Sequence, residues 1–253
     1  MLLMFVGDCH YQINRLYSWT LEWQKRTGMT IDAIVHVGDY GIDLKGRDWM
    51  GIWSRRSVPI LTYVCMGNHE DIDSIVRWQA EPDRIKNLHL LPDGGITDVL
   101  GVQVGSVWGN YSPRSWLYPE RVRAARKKHG SLHNSKAMHI LRDSVDNLLA
   151  DEGHMDVLIT HDCASNAVPK QFKNKKIPDF IAPILGLDPD ETNQQGCPGF
   201  NELLSKFKPE YYFYGHFHVR DNNEVEGTKV LCLNAFDFDP NSAIEILDFS
   251  QPQ

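Results

Sequence analysis

Apolar residues fall along this chain in two alternating rhythms. Residues 2–6 form a short unbroken apolar run that ends in Gly7-Asp8, which predicts a buried strand. Ile13, Leu16, Tyr17, Thr20 and Leu21 then recur at the three-and-four spacing of a helix face, with Gly28 as its stop. A strand at 33–37, a Trp-rich helical stretch from about Arg47 to Arg56 and a strand at 60–66 follow. This β-α-β-α-β order is the signature of a sheet with helical crossovers.

From about Leu88 the texture changes. Gly94-Gly95 and Gly101 bracket runs at 96–100 and 102–107, which predicts consecutive strands joined by tight turns. Ala137, Ile140, Leu141, Val145, Leu148 and Leu149 trace a second helical stripe, and a strand at 155–160 restarts the alternation. A short helix at 202–207 and strands at 211–214, 229–233 and 243–247 complete the pattern. The alternation by itself gives an α/β fold, read as one domain over 1–253. Two stretches break the rhythm, at about 112–136 and 164–199; loops of this length in a compact domain are usually functional, and both are read as insertions over an active site.

Composition narrows the function. The chain has 253 residues, 42% of them hydrophobic, enough to bury a substantial core. A formal charge of -7 does not give the overall field of a nucleic-acid binder, although a local basic face is compatible with it. No stretch approaches the roughly 20 apolar residues of a membrane span, and 2–6 is too short for a signal peptide, so no membrane partner is expected. Five cysteines without a C-x-x-C pair argue for reduced thiols and a cytoplasmic location.

The chemistry sits where the strands end: Gly7-Asp8-Cys9-His10, Gly38-Asp39, Gly67-Asn68-His69-Glu70, Thr160-His161-Asp162 and Gly215-His216-Phe217-His218. Carboxyl ends of strands are where α/β proteins place their sites. Carboxylates, an amide oxygen and imidazoles make a mixed N/O donor set suited to Mn²⁺, Fe or Zn²⁺ and poor for Ca²⁺. There are more donors than one ion uses, which points to two divalent ions about 3.5–4 Å apart sharing a carboxylate, with Asp39 the candidate bridge. Cys9 alternates away from its neighbours and is read as a packing residue, as are His36, His89 and His154 as core or surface histidines. Asp43 and Asp162 are candidates for orienting ligand imidazoles.

The five blocks, in this order from Asp8 to His218, resemble the calcineurin-like metallophosphoesterase superfamily. The resemblance implies a four-layer αββα sandwich of two mixed sheets. It implies one ion on Asp8, His10 and His218, a second on Asn68, His161 and His216, and Asp39 between them. Mn²⁺ is the first choice of metal, with Fe or Zn as alternatives. The implied reaction is attack on a phosphoester by a hydroxide bridging the ions, with His69 off the metals as the acid for the leaving oxygen or as an orienting group. Within the superfamily, residues 204–219 (LSKFKPEYYFYGHFHV) together with 67–70 and 160–162 are similar to RNA lariat debranching enzymes, which cleave 2′,5′-phosphodiester branches. Two departures stand out: those enzymes typically carry Cys where this chain has Asp8, and Ala where it has Gly215.

The expected function is therefore a metal-dependent phosphodiesterase acting on RNA, DNA or nucleotides. Arg121, Arg123, Arg126, Lys127 and Lys128 are candidates for gripping substrate phosphates, and Tyr111, Trp116 and Tyr118 for stacking bases. A phosphomonoesterase is the alternative, weakened because Gly38-Asp39 lacks the Asp-Arg-Gly sequel of the Ser/Thr phosphatases. A scaffold that has lost catalysis is a third reading, against which the whole ligand set stands.

Overall fold

Alternation along each apolar run decides which neighbour each side chain meets. The computed structural model describes residues 1–41, 56–127, 135–173 and 195–250. One sheet is built from β1 (Leu2–Val6), β2 (Ala33–His36), β3 (Ser57–Val64), β4 (Lys86–Leu90) and β11 (Ile244–Asp248), in the order β11-β1-β2-β3-β4. Only β11 runs antiparallel to its neighbour. The other sheet comprises β5 (Gly95–Val99), β6 (Val102–Val107), β7 (Val157–Thr160), β8 (Tyr211–Tyr214), β9 (Asp221–Val225) and β10 (Thr228–Cys232), in the order β5-β6-β7-β8-β10-β9. Its centre is parallel and its two edges are antiparallel.

The sheets meet face to face. Phe5 of β1 stacks on Phe213 of β8 with ring centroids 4.1 Å apart and nearly coplanar, and Tyr211 continues the stack. On β1 the next position faces the other way: Met4 receives a weak hydrogen bond from Thr20 of helix α1 (Ile13–Thr27). On β8, Tyr212 and Tyr214 turn outward into a second apolar cluster with Phe200, Leu203 and Leu204 of α6 (Pro198–Phe207) and Val145 and Leu148 of α5 (Arg142–Ala150). Helices thus cover the outer faces of both sheets, giving the four layers that the resemblance implied. No helix among the described residues is long and apolar enough to cross a membrane.

Several elements differ from the sequence reading. Leu21 is 46% exposed, so the buried face of α1 is Ile13, Leu16, Tyr17 and Thr20, and the helix ends on Gly28 at φ 71° as expected. Helix α2 (Ile72–Ala80), capped by Asp71 accepting the Ser74 N–H at 3.1 Å, and strand β4 after it were not expected. Neither was the polar edge strand β9, Asp-Asn-Asn-Glu-Val, of whose side chains only Val225 packs against an apolar cluster. The stripe beginning at Ala137 splits: Ser135–Met138 is a 3₁₀ turn, and the helix starts only at Arg142. Part of the first insertion forms two short helices, α3 (Pro113–Leu117) and α4 (Glu120–Lys127). Asp43, Lys128, the helical stretch from Arg47 and most of the second insertion lie outside the described residues.

Candidate metal centre

Strands β1, β2, β3, β7 and β8 all release their chains at one edge of the sandwich, and the five polar blocks converge there. Asp8 and Asp39 are buried at the bottom, His161 beside them is buried as well, and His10, Asn68, His216 and His218 are half-buried above. His218 Nε2 is 3.1 Å from Asp8 Oδ2. His161 Nε2 is 3.3 Å from Asp39 Oδ2 and 3.0 Å from Asn68 Oδ1. His10 Nε2 is 3.5 Å from Asp39 Oδ2, and the largely exposed His69 reaches to 3.8 Å of the same oxygen.

Backbone geometry makes this crowding possible. A Cβ at Gly215 would lie 2.1 Å from Asp8 Oδ1, and one at Gly67 would lie 2.1 Å from Asp39 Oδ1. Both positions must therefore be glycine while the aspartates stay where they are. His10, Tyr11, Asp39, His216 and His218 all adopt positive φ, between 39° and 70°, a conformation that costs L-residues free energy and that clusters at functional sites. Hydrogen bonds from neighbouring loops hold them there: the His216 N–H donates to Asp8, the His69 N–H to Asp39 Oδ1, and the His10 N–H to the Asp39 carbonyl.

The electrostatics of the cluster call for positive charge. Burial alone would lower the affinity of His10 and His161 for a proton, but Asp39 and Asp8 outweigh it, pushing His10 up to about 9 and His161 up to about 10. Burial would likewise raise the Asp39 carboxyl, yet His161, His10 and His69 hold it well below the ordinary carboxylate range. The His161 Nδ1 is buried without a hydrogen-bond partner. Two carboxylates, imidazoles whose free atoms face them and an amide oxygen at 3.0 Å fit divalent cations of the Mn, Fe or Zn type. Asp8, His10 and His218 form one group of candidate ligands, Asp8, Asp39 and His161 another, and His10, Asp39 and His69 a third.

Asp237 escaped the sequence reading, and Glu70 stood in its block without a role. Asp237, after β10, places Oδ1 3.5 Å from His10 Nδ1, the contact of an imidazole-orienting carboxylate. Glu70 is buried and accepts the Gly41 N–H at 3.0 Å and the Gly67 N–H at 2.7 Å, tying together the loops that carry Asp39 and Asn68. Asp162, expected to orient an imidazole, instead accepts backbone N–H groups of Tyr111 and Cys163, each at 2.7 Å. Cys9 is buried, as expected, with its Sγ donating to the Tyr40 carbonyl. His36 is a core histidine that burial holds down at about 3.

The basic run divides. Arg123 pairs with Asp143, and Arg126 is anchored to Asp93 at 2.7 Å and to the Ala137 carbonyl, pinning α4 to the turn at 135–138. These two guanidinium groups are engaged in fixing the segment, which leaves the half-buried Arg121 and exposed Lys127 as the described residues of the run facing outward. Trp116 packs against Gly199 and Arg142 and so lies under the segment. Tyr118 is 48% exposed.

A family model described as calcineurin-like phosphoesterase matches residues 1–220. The chain is similar to lariat debranching enzyme A of Xenopus laevis, at 23% identity covering 90% of this chain and 46% of that protein. It is also similar to the lariat debranching enzyme of Gallus gallus, at 23% identity covering 87% of this chain and 43% of that protein. The chain thus matches a little under half the length of these relatives. A solved structure from Thermus thermophilus has the same fold, with a TM-score of 0.56 at 12% identity and 98% of both chains covered.

Proposed function

This chain belongs to the calcineurin-like phosphoesterase family, and on that premise we propose that it is a metal-dependent phosphodiesterase acting on RNA, DNA or nucleotides. The observation that carries the proposal is the meeting of Asp8 and Asp39 with His10, Asn68, His161 and His218 at one strand-end edge, in a field that favours cations. Asp8, His10 and His218 would hold one ion and Asn68, His161 and His216 the other, with Asp39 shared; Mn²⁺ is the first candidate. When bound, such ions lower the pKa of water and offset charge on phosphoryl oxygens.

The chain's own residues supply the rest. Asp237 and the backbone donors fix the imidazoles, so little reorganisation accompanies the reaction. His69 is about half exposed at the rim, and burial lowers its affinity for a proton, so a His69 imidazolium is a stronger acid than an ordinary one. That suits it to hand a proton to a leaving alkoxide. The similarity to debranching enzymes supports a nucleic-acid diester. Five free, buried cysteines suit a reducing compartment such as the cytoplasm.

The test is metal-stripped protein reloaded with Mn²⁺ and assayed on bis(p-nitrophenyl) phosphate, p-nitrophenyl phosphate and single-stranded or 2′,5′-branched RNA. Diester and RNA should turn over. His69→Ala should lose on the order of 10²–10⁴-fold on RNA and much less on nitrophenyl esters, whose leaving group needs no proton, while still binding metal. Turnover of the monoester alone would replace this reading with a phosphatase.

A further inference from the structure

The loop between β10 and β11 presents two phenylalanines in opposite ways. Phe236 is fully buried; its N–H donates to the Asp8 carbonyl at 2.7 Å, and its ring meets Trp19 and the Arg15 guanidinium. Phe238, two residues on, is 68% exposed, the most exposed of the large apolar side chains among the described residues. Its ring lies 5.4 Å from that of His218, edge to face, and His218 is 3.1 Å from Asp8.

A single exposed apolar side chain is ordinary on a protein surface. What separates Phe238 from that background is how firmly its turn is held. Its N–H and that of Asp239 both donate to the Ala235 carbonyl at 3.2 Å. Between the two phenylalanines, Asp237 contacts His10 through its carboxylate and receives Arg15 on its carbonyl at 3.3 Å. The ring is therefore displayed beside the metal centre by contacts to two of the candidate ligand-bearing segments. A phenyl ring has no donor, acceptor or charge, so it can neither grip a phosphate nor move a proton. It offers a flat apolar face, and the ligand group that matches such a face next to a phosphoester is a nucleobase.

We propose that Phe238 is the stacking platform for a nucleoside joined to the phosphate at this site. The proposal rests on the phosphodiesterase reading and adds to it the residue that receives the nucleoside, stacking on the base without regard to sequence. The test compares two substrates with the same leaving group, thymidine 5′-(p-nitrophenyl) phosphate and methyl p-nitrophenyl phosphate, on Mn²⁺-loaded protein. Wild type should prefer the nucleoside ester; Phe238→Ala should cut that preference about tenfold, mainly through KM, and Phe238→Trp should keep it. An equal preference in Phe238→Ala, or none in wild type, overturns the platform. If wild type hydrolyses neither ester, the phosphodiesterase reading fails by itself. The platform is then judged by equilibrium binding of AMP against ribose 5-phosphate: the advantage of AMP should fall about tenfold in Phe238→Ala, and an undiminished advantage overturns the proposal.

Discussion

Asp8 keeps its carboxylate in place because residue 215 has no side chain; a methyl group there would lie only 2.1 Å from Asp8 Oδ1. The two departures from the debranching pattern that the resemblance suggested, Asp at 8 and Gly at 215, touch in this structure: the Asp8 carboxylate oxygen fills the space that a Cβ at 215 would need. Gly215→Ala should accordingly displace Asp8 and lower bound metal, measured by elemental analysis. Asp8→Cys combined with Gly215→Ala should melt at a higher temperature than Gly215→Ala alone, with a coupling of about 0.5–3 kcal/mol, and simple additivity would refute the link. The residues that meet at this edge were legible in the sequence because each follows a strand, where spacing and order carry information. Asp237 and Phe238 were not, since their meaning arises only when a loop near the end of the chain folds back on His10 and His218.

At the scale of elements, the site is an agreement between loops, and Glu70 is where two of them meet. One carboxylate serves the Gly41 and Gly67 N–H groups, and burial together with the nearby Asp39 raises its pKa to about 7. Glu70→Gln keeps the shape but offers one acceptor where two donors need satisfying, leaving an N–H facing an N–H. The expected loss is about 1–3 kcal/mol of stability, read as a lower melting temperature with weaker metal binding; an unchanged melt would show that the loops hold without it. The same scale explains what sequence periodicity could and could not deliver. Strands β1 and β7, apolar on both faces, and the long helix α1 were plain. Helix α2 is short and starts on a cap immediately after the site loop, and β9 is a polar edge strand with no hydrophobic rhythm to detect.

For the molecule as a whole, the metal centre links stability to pH. In the metal-free protein His10 and His161 bind protons more tightly than in the unfolded chain, with values of about 9 and about 10 against 6.5. Their contribution to stability is fully present below about pH 6.5 and is lost as pH rises through those folded values. Metal loading removes these protons in advance, so thermal melts of chelated protein should fall in midpoint between about pH 7 and 10 while Mn²⁺-loaded protein stays comparatively flat. Parallel profiles for the two forms would mean that the imidazoles are not where the cations bind.

Strand β1, which leads into Asp8, lies between β2 and β11. It is synthesised well ahead of β11, which follows more than two hundred residues later, after His216 and His218. At about 5–20 residues per second, a nascent chain waits roughly ten to fifty seconds on the ribosome before β1 can acquire both neighbours. Over most of that interval Asp8 and His10 lack His218, the third member of their candidate group. The full set of candidate ligands therefore comes together only late in synthesis, whereas the smaller groups His10, Asp39 and His69, and Asp8, Asp39 and His161, are available earlier.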